Sequence, residues 1–169
     1  MASVHDTGVA IRVQSVDFDD PPAAALRAAM SAEMGRLYAD RAAARAEPPP
    51  GMAVEAATVA YTGVAYAAGV PVGHAALRWL GAELELKRMY VVPSHRGAGV
   101  AVALLAAAER AAARLGARRI VLQTGDRQPD AVRLYEKSGY TRMPIFGPYR
   151  AMPHSRCFQK LLPAHPDEV

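Results

Sequence analysis

The chain has a single cysteine, Cys157, in 169 residues, and only three phenylalanines and one tryptophan. One thiol excludes an internal disulfide framework and suits a reducing cytoplasm, the expected location. With no activating neighbour in sequence, Cys157 reads as strand packing rather than as a nucleophile. Long apolar runs are missing, so no bilayer span is expected. The start, MASVHDTGVAIRVQ, lacks a basic segment followed by an apolar one, which argues against a secretory leader. Lysine and arginine blocks with interleaved aromatics are missing too. The net charge of +4 comes from scattered arginines, densest at Arg110, Arg114, Arg118 and Arg119, where a helix end favours cations. Neither nucleic acid nor a membrane is expected as a partner. The five histidines, at positions 5, 74, 95, 154 and 165, show no metal-ligand spacing, and no metal is expected.

What is present is an ordinary globular composition, 51% hydrophobic and 21% charged, in a length that fits one domain over residues 9–162. Residues 1–8 and 163–169 read as flexible termini. Val9 to Val16 alternates as a strand does. Asp19-Asp20-Pro21-Pro22 then offers a helix cap with prolines in the first turn, and an Ala/Leu/Met-rich helical stretch runs to about Arg45. Glu47-Pro-Pro-Pro-Gly51 breaks it. Ala57–Tyr66 and Val70–Leu80 read as a hairpin, and Glu83–Val92 as a third consecutive strand. A helix over Val100–Leu115 closes at Gly116. A strand at Arg118–Thr124, a short helix before Gly139, a strand from Tyr140 and a last strand at Ser155–Leu162 complete the chain. The order β-α(α)-βββ-α-β-α-ββ implies an α/β fold of α+β type: a mixed sheet, antiparallel early, with a parallel crossover in the middle.

The stretch Val91 to Gly116 carries the chemistry. A strand ends at Pro93, passes through Arg96-Gly97-Ala98-Gly99 and becomes an alanine-rich helix. Such a junction leaves backbone N–H groups at the positive end of a helix, a site for phosphate. A Walker A loop is excluded because G-x-x-x-x-G-K-[ST] does not occur. A dinucleotide fingerprint is disfavoured, since Val100-Ala101-Val102 replaces the third glycine and no ribose-binding acid ends the next strand. Arg96-Gly97-Ala98-Gly99-Val100-Ala101 instead resembles R/Q-x-x-G-x-G/A, the coenzyme A pyrophosphate loop of the GNAT acetyltransferase superfamily. Ala131-Val-Arg-Leu-Tyr135-Glu-Lys-Ser-Gly139-Tyr140 resembles the A-x-x-L-Y-E-K-x-G-F/Y helix of the same family. The two motifs occur in the family's order, with a helix and a strand between them. A closer likeness, through Leu86-Lys-Arg-Met-Tyr-Val91 and Phe146-Gly-Pro-Tyr149, is to a subgroup of small stand-alone bacterial acetyltransferases. Gln128 departs from the family pattern, which has asparagine there.

The resemblance implies an N-acetyltransferase using acetyl-CoA as co-substrate, with a small-molecule or protein amine as acceptor. Backbone amides of Arg96, Gly97, Ala98, Gly99, Val100 and Ala101 would hold the pyrophosphate. Met89, Tyr90 and Val91 would pair with the pantetheine arm and offer an oxyanion donor. Tyr135 would protonate the departing thiolate. Glu85 would serve as a water-linked base, with Glu83 two residues earlier on the same strand face in reserve, unless both are solvent-facing strand residues. By the family's usual geometry, Tyr38, His74 and Tyr149 would line the acceptor pocket. A homodimer is compatible with the resemblance. A non-catalytic acyl-CoA-binding or sensing module is the alternative that needs neither Tyr135 nor a base.

Overall fold

The Asp-Asp-Pro-Pro segment starts a helix as its chemistry requires. Asp20 caps α1 (Pro21–Leu37) by accepting from the Ala23 amide at 3.4 Å. The prolines sit in the first turn, where their missing amide hydrogens cost nothing. The computed structural model describes residues 8–42 and 50–164. Of the segments expected to be flexible, 1–7 and 165–169 lie outside them, as does most of the proline-rich break before Gly51.

Around α1 the elements are β1 (Ile11–Ser15), α2 (Ala39–Ala42), β2 (Val59–Ala67), β3 (Val70–Leu80), β4 (Glu83–Val91), α3 (Val100–Arg114), β5 (Arg119–Gly125), α4 (Pro129–Lys137), β6 (Thr141–Met143) and β7 (Ser155–Leu161). This is the expected order. The strand expected from Tyr140 is only three residues long. Pro144 follows it, and a proline cannot donate to a ladder. All strands join one seven-stranded sheet ordered β1-β2-β3-β4-β5-β7-β6. Only β4 and β5, linked through α3, run parallel. The other neighbours are antiparallel.

Strand alternation sorts side chains to the two faces of the sheet. Ala65, Ala75, Leu77, Leu84, Leu86, Ile120 and Leu122 pack with Val100, Leu104, Leu105 and Ala108 of α3. Val64 and Tyr90 face the other way and cluster with Ala23 and Leu26 of α1. The alanines of α3 let it lie close to the strands. Gly73 of β3 makes the closest approach: a Cβ there would sit 2.8 Å from Val100 Cγ1 and 2.9 Å from Leu104 Cδ1. Those distances fall inside any real carbon–carbon contact, so glycine is required by packing. Among the described residues, no helix is long and apolar enough to cross a membrane.

Gly73→Ala is expected to destabilise the fold by about 1–3 kcal/mol through overpacking. Urea denaturation at neutral pH measures it, and an unchanged midpoint would contradict this account of α3 docking.

Candidate active site

After Leu86 the sheet opens. β4 pairs with β5 through Leu84, Glu85 and Leu86 only, while β3 follows β4 on to Val91. The pairing with β3 carries an irregularity between His74 and Ala76. Two residues of β4, Arg88 and Met89, stand opposite Ala75 alone, and Arg88 has a positive φ of 58°. This is a β-bulge, which bends a strand and increases its twist. A non-glycine residue in that conformation needs outside support. His74 and α1 supply it. The Arg88 carbonyl accepts from His74 Nδ1 at 2.9 Å, while the Arg88 guanidinium donates to Ser31 Oγ at 2.6 Å and to the Arg27 carbonyl at 3.1 Å. Because a carbonyl can only accept, Nδ1 carries the hydrogen. Nε2 is then the acceptor for Arg27, 3.0 Å away. Burial holds this imidazole neutral, lowering its pKa to about 4.

Two adjoining cavities open where β4 and β5 part. The larger, about 820 Å³, runs along the loop between β4 and α3 and is lined by Met89, Tyr90, Val91, Arg96, Gly97, Gly99, Val100 and Ala101. The loop begins with a 3₁₀ turn over Pro93–His95. The Arg96 amide donates to the Pro93 carbonyl at 3.4 Å, but from Gly97 through Val102 no amide has a backbone acceptor among the described residues. Gly97 and Gly99 have φ of 78° and 82°, and a Cβ on either would meet no protein atom. Their glycines therefore serve backbone conformation, not tight protein packing. Gly99 caps α3 without a side-chain hydrogen bond. The Arg96 side chain bonds the Val91 carbonyl at 3.0 Å and Glu33 of α1 at 2.7 Å, bracing the rim.

The smaller cavity, about 440 Å³, lies in the gap itself, lined by Leu86, Lys87, Arg88 and Met89 on one side and Gln123–Asp126 on the other. Tyr135 is part of its wall. Five of the seven methionines, Met30, Met34, Met52, Met89 and Met152, line it as well. Unbranched, polarisable side chains of this kind adapt to irregular apolar shapes. One end is lined by an ion pair, with a second beside it in the chain. Arg41 grips Asp126 at 2.7 and 3.0 Å, and Arg127 grips Asp40 at 2.6 and 2.8 Å. These guanidinium hydrogen bonds hold both carboxyls down at about 2.

The structure thus brings the loop, Met89–Val91 and Tyr135 to one place. Tyr135 is 5% exposed, with its ring edge-on to Tyr140 at 5.7 Å. Among the described residues its hydroxyl has no hydrogen-bond partner, and burial raises its pKa. Glu85 is differently placed. It is fully buried and lines neither cavity. Arg78 donates to it at 3.2 and 3.3 Å, the Tyr149 hydroxyl donates to it, and Lys87 Nζ lies 3.7 Å away. The solvent-facing alternative for Glu85 is corrected by this enclosure. Glu83 is half-exposed and bound to Arg119 of β5, away from both cavities. Of the three residues expected around the acceptor pocket, Tyr38 lines it. His74 and Tyr149 are fully buried behind its wall, where one fixes the bulge and the other bonds Glu85. Gln128 lines both cavities and donates its amide to the Tyr38 hydroxyl at 3.4 Å. Cys157 is buried in β7, as packing requires.

Sequence reasoning missed Lys87, Arg78 and the methionine lining. Lys87 had a signal: it follows Glu83 and Glu85 on the same strand face. The methionines had none, because they come from separated segments.

Known proteins resemble the chain in sequence and in fold. The sequence profile of the acetyltransferase (GNAT) family matches residues 24–140. An IAA acetyltransferase of Azospirillum brasilense is 37% identical over 78 residues, 46% of this chain and 51% of its own length. Acetyltransferase Atu2258 of Agrobacterium fabrum is 39% identical over 77 residues, 46% of this chain and 52% of its own. The chain therefore spans about half the length of the curated relatives it matches. Among solved structures, a Klebsiella pneumoniae protein provisionally named an acyl-CoA N-acyltransferase superposes with a TM-score of 0.74 at 28% identity, over 90% of this chain and 97% of that one. A GNAT family acetyltransferase from Elizabethkingia anophelis, solved with acetyl-CoA bound, gives 0.63 at 16% identity over 90% and 98%.

The bulge clamp has a measurable pH signature. The folded protein holds His74 at about 4, below the ordinary 6.5, so folding excludes a proton that the unfolded chain binds. Stability is complete above pH 6.5 and is expected to fall between pH 6.5 and about 4 by on the order of 3 kcal/mol. Urea titrations across that range read it, and His74→Gln should remove this part of the slope.

Proposed function

The chain belongs to the GNAT acetyltransferase family, and from that premise we propose that it transfers the acetyl group of acetyl-CoA to a primary amine by direct attack in a ternary complex. The observation that carries the reading is the unbroken run of amides from Gly97 to Val102, at the start of α3, that have no backbone acceptor among the described residues. It opens into a cavity that adjoins the gap between β4 and β5. Fixed N–H groups at a helix N-terminus bind a diphosphate. The Arg96 amide is turned to Pro93, so within the Arg96–Ala101 motif the grip belongs to Gly97 onward. A relative solved with acetyl-CoA bound shares this fold.

Beyond Leu86, the edge of β4 that faces β5 has no strand partner among the described residues. The pantetheine arm fits there as an added strand, against Met89, Tyr90 and Val91. A backbone N–H at this edge would meet the thioester oxygen as it becomes an oxyanion, a contact worth about 3–4 kcal/mol in the transition state. Tyr135 is the acid: its phenol stays protonated through burial and has a free hydroxyl to give the departing sulfur a proton. Glu85 acts from behind the wall, through the groups it holds, rather than through water from the cavity. A purely binding module would have no use for an unpartnered hydroxyl in the cavity wall.

Among the described residues the acceptor site carries one carboxylate, Asp126, and Arg41 occupies it. A polycation would find no free counter-charge there, whereas the methionine lining suits an amine on an apolar body. We place the enzyme in the cytoplasm, where its single thiol stays reduced, and its two sheet edges leave room for pairing with a second copy.

Acetyl-CoA at about 100 times its Kd should stabilise the protein by about 2.7 kcal/mol, raising the melting temperature by several degrees, with NADH and ATP giving less. A flat response to acetyl-CoA alone would end this reading. Tyr135→Phe is expected to lower kcat about 100-fold with acetyl-CoA affinity unchanged, measured by release of the free thiol. A Phe variant with normal kcat at all pH values would remove Tyr135 from the chemistry.

A further inference from the structure

We propose that Lys87 is the general base of this site, with Tyr149 and Glu85 positioning it. The proposal rests on the acetyl-transfer reading and adds a catalytic residue to it. Lys87 is the only cation of the smaller cavity, among the described residues, whose ammonium end faces a hydrogen-bonded hydroxyl backed by a buried carboxylate. Its side chain is 14% exposed, and Nζ donates to Tyr149 Oη at 2.7 Å. Tyr149 Oη in turn donates to Glu85. One hydrogen of the lysine is thereby fixed in the wall, which orients the rest of the amine.

Burial makes the neutral form of Lys87 accessible, while the charges around it pull both ways. On β4, Glu85 favours the ammonium while Arg88 opposes it, and Arg78 of β3 opposes it too. Tyr149 packs against it from the turn at Gly147–Ala151. Across the cavity stand Arg41, already paired with Asp126, and His154. Glu85 is also bonded by Arg78 and Tyr149, and desolvation is the largest influence on Lys87. Burial lowers the Lys87 pKa from 10.5 to about 8, with Glu85 only partly opposing it. The free amine then becomes the major form above about pH 8, in the wall that also holds Tyr135.

The other candidates fail on geometry. Glu85 is sealed, Glu83 is bound to Arg119 at the far end of β4, and Asp126 is held as a carboxylate by Arg41. His154 is 61% exposed and lies 3.9 Å from Asp126.

The step balances. The acceptor enters as the neutral amine, its ammonium proton having gone to solvent; its nitrogen bonds to the acetyl carbon and sheds a second proton to neutral Lys87 Nζ. The carbon–sulfur bond breaks, and the sulfur takes the Tyr135 proton and leaves as the free thiol. The proton on Lys87 then restores Tyr135 through solvent. This requires neutral Lys87 at the start, so the acid limb of kcat/KM must carry an inflection at about 8, distinct from the rise set at higher pH by the acceptor's own amine.

Two measurements test this. The chain has three lysines, at 87, 137 and 160, so a heteronuclear NMR titration of the amino groups, with Lys87 identified by its loss in Lys87→Arg, reads the ionisation without any acceptor. Lys87 is expected to titrate at about 8, and titration above pH 10 would overturn the proposal. Coenzyme A release with phenethylamine, spermidine, kanamycin and a free-amine tetrapeptide is then followed from pH 6 to 10. Lys87→Arg keeps the charge and the bond to Tyr149 but cannot deprotonate. It is expected to lose about 100-fold in kcat along with the acid limb, with calorimetric acetyl-CoA affinity within twofold of wild type. Lys87→Gln should do the same. Lys87→Arg retaining the rate and the limb, or His154→Gln abolishing the limb, would overturn the assignment of Lys87 while leaving acetyl transfer intact. Wild-type protein that neither binds acetyl-CoA nor releases thiol with any of the four amines would overturn acetyl transfer itself, and Lys87 with it.

Discussion

Everything in the site depends on two parallel strands that stay together for three residue pairs and then part. Up to Leu86, β4 and β5 share a ladder. Beyond it, the bulge at Arg88 turns β4 away while β3 keeps hold of it. The gap that results does two things at once. It frees a strand edge whose hydrogen-bonding groups a ligand chain can use, and it exposes a cavity at the middle of the sheet. A sheet closed along its whole length would offer neither.

Holding such a gap open has a cost, and the surrounding structure offsets it. Arg88 sits in a conformation that side chains disfavour, and His74, Arg27 and Ser31 over-determine it from two directions. The bulge also resets the alternation of β4. Lys87 and Tyr90, three apart, end on the same face, so Tyr90 packs on α1 while Lys87 lines the cavity. A regular strand would have put them on opposite faces.

Behind that face lies a charged network inside the protein: Arg78, Glu85, Tyr149 and Lys87. Burying charge is expensive, and a buried pair is weak evidence for stability. Its more specific consequence is positional. Arg78 and Tyr149 saturate the carboxylate, and a saturated carboxylate leaves Lys87 only partly compensated. The same arrangement explains why the strand-face logic that pointed to Glu85 found the right neighbourhood and named a residue one step behind the wall. Alternation showed which face the acid shares, but not how deep that face is covered.

The sequence by itself determined the local elements and the anion-binding loop. Asp20 with two prolines starts α1, two glycines with positive φ end β4 in an unpaired turn, and alanines let α3 lie on the strands. Each follows from a residue's own stereochemistry or from its immediate neighbours, so a linear reading reaches it. The motif from Arg96 to Ala101 and the L-Y-E-K helix were legible for that reason. The opening between β4 and β5, the enclosure of Glu85 and the methionine-lined cavity were decided only by tertiary structure. They depend on residues far apart in the chain, as in Arg27 with His74, 47 positions apart, and Arg78 with Tyr149, 71 apart. No local preference encodes such pairings, because burial and the loss of water that tune these groups exist only once distant segments have packed together.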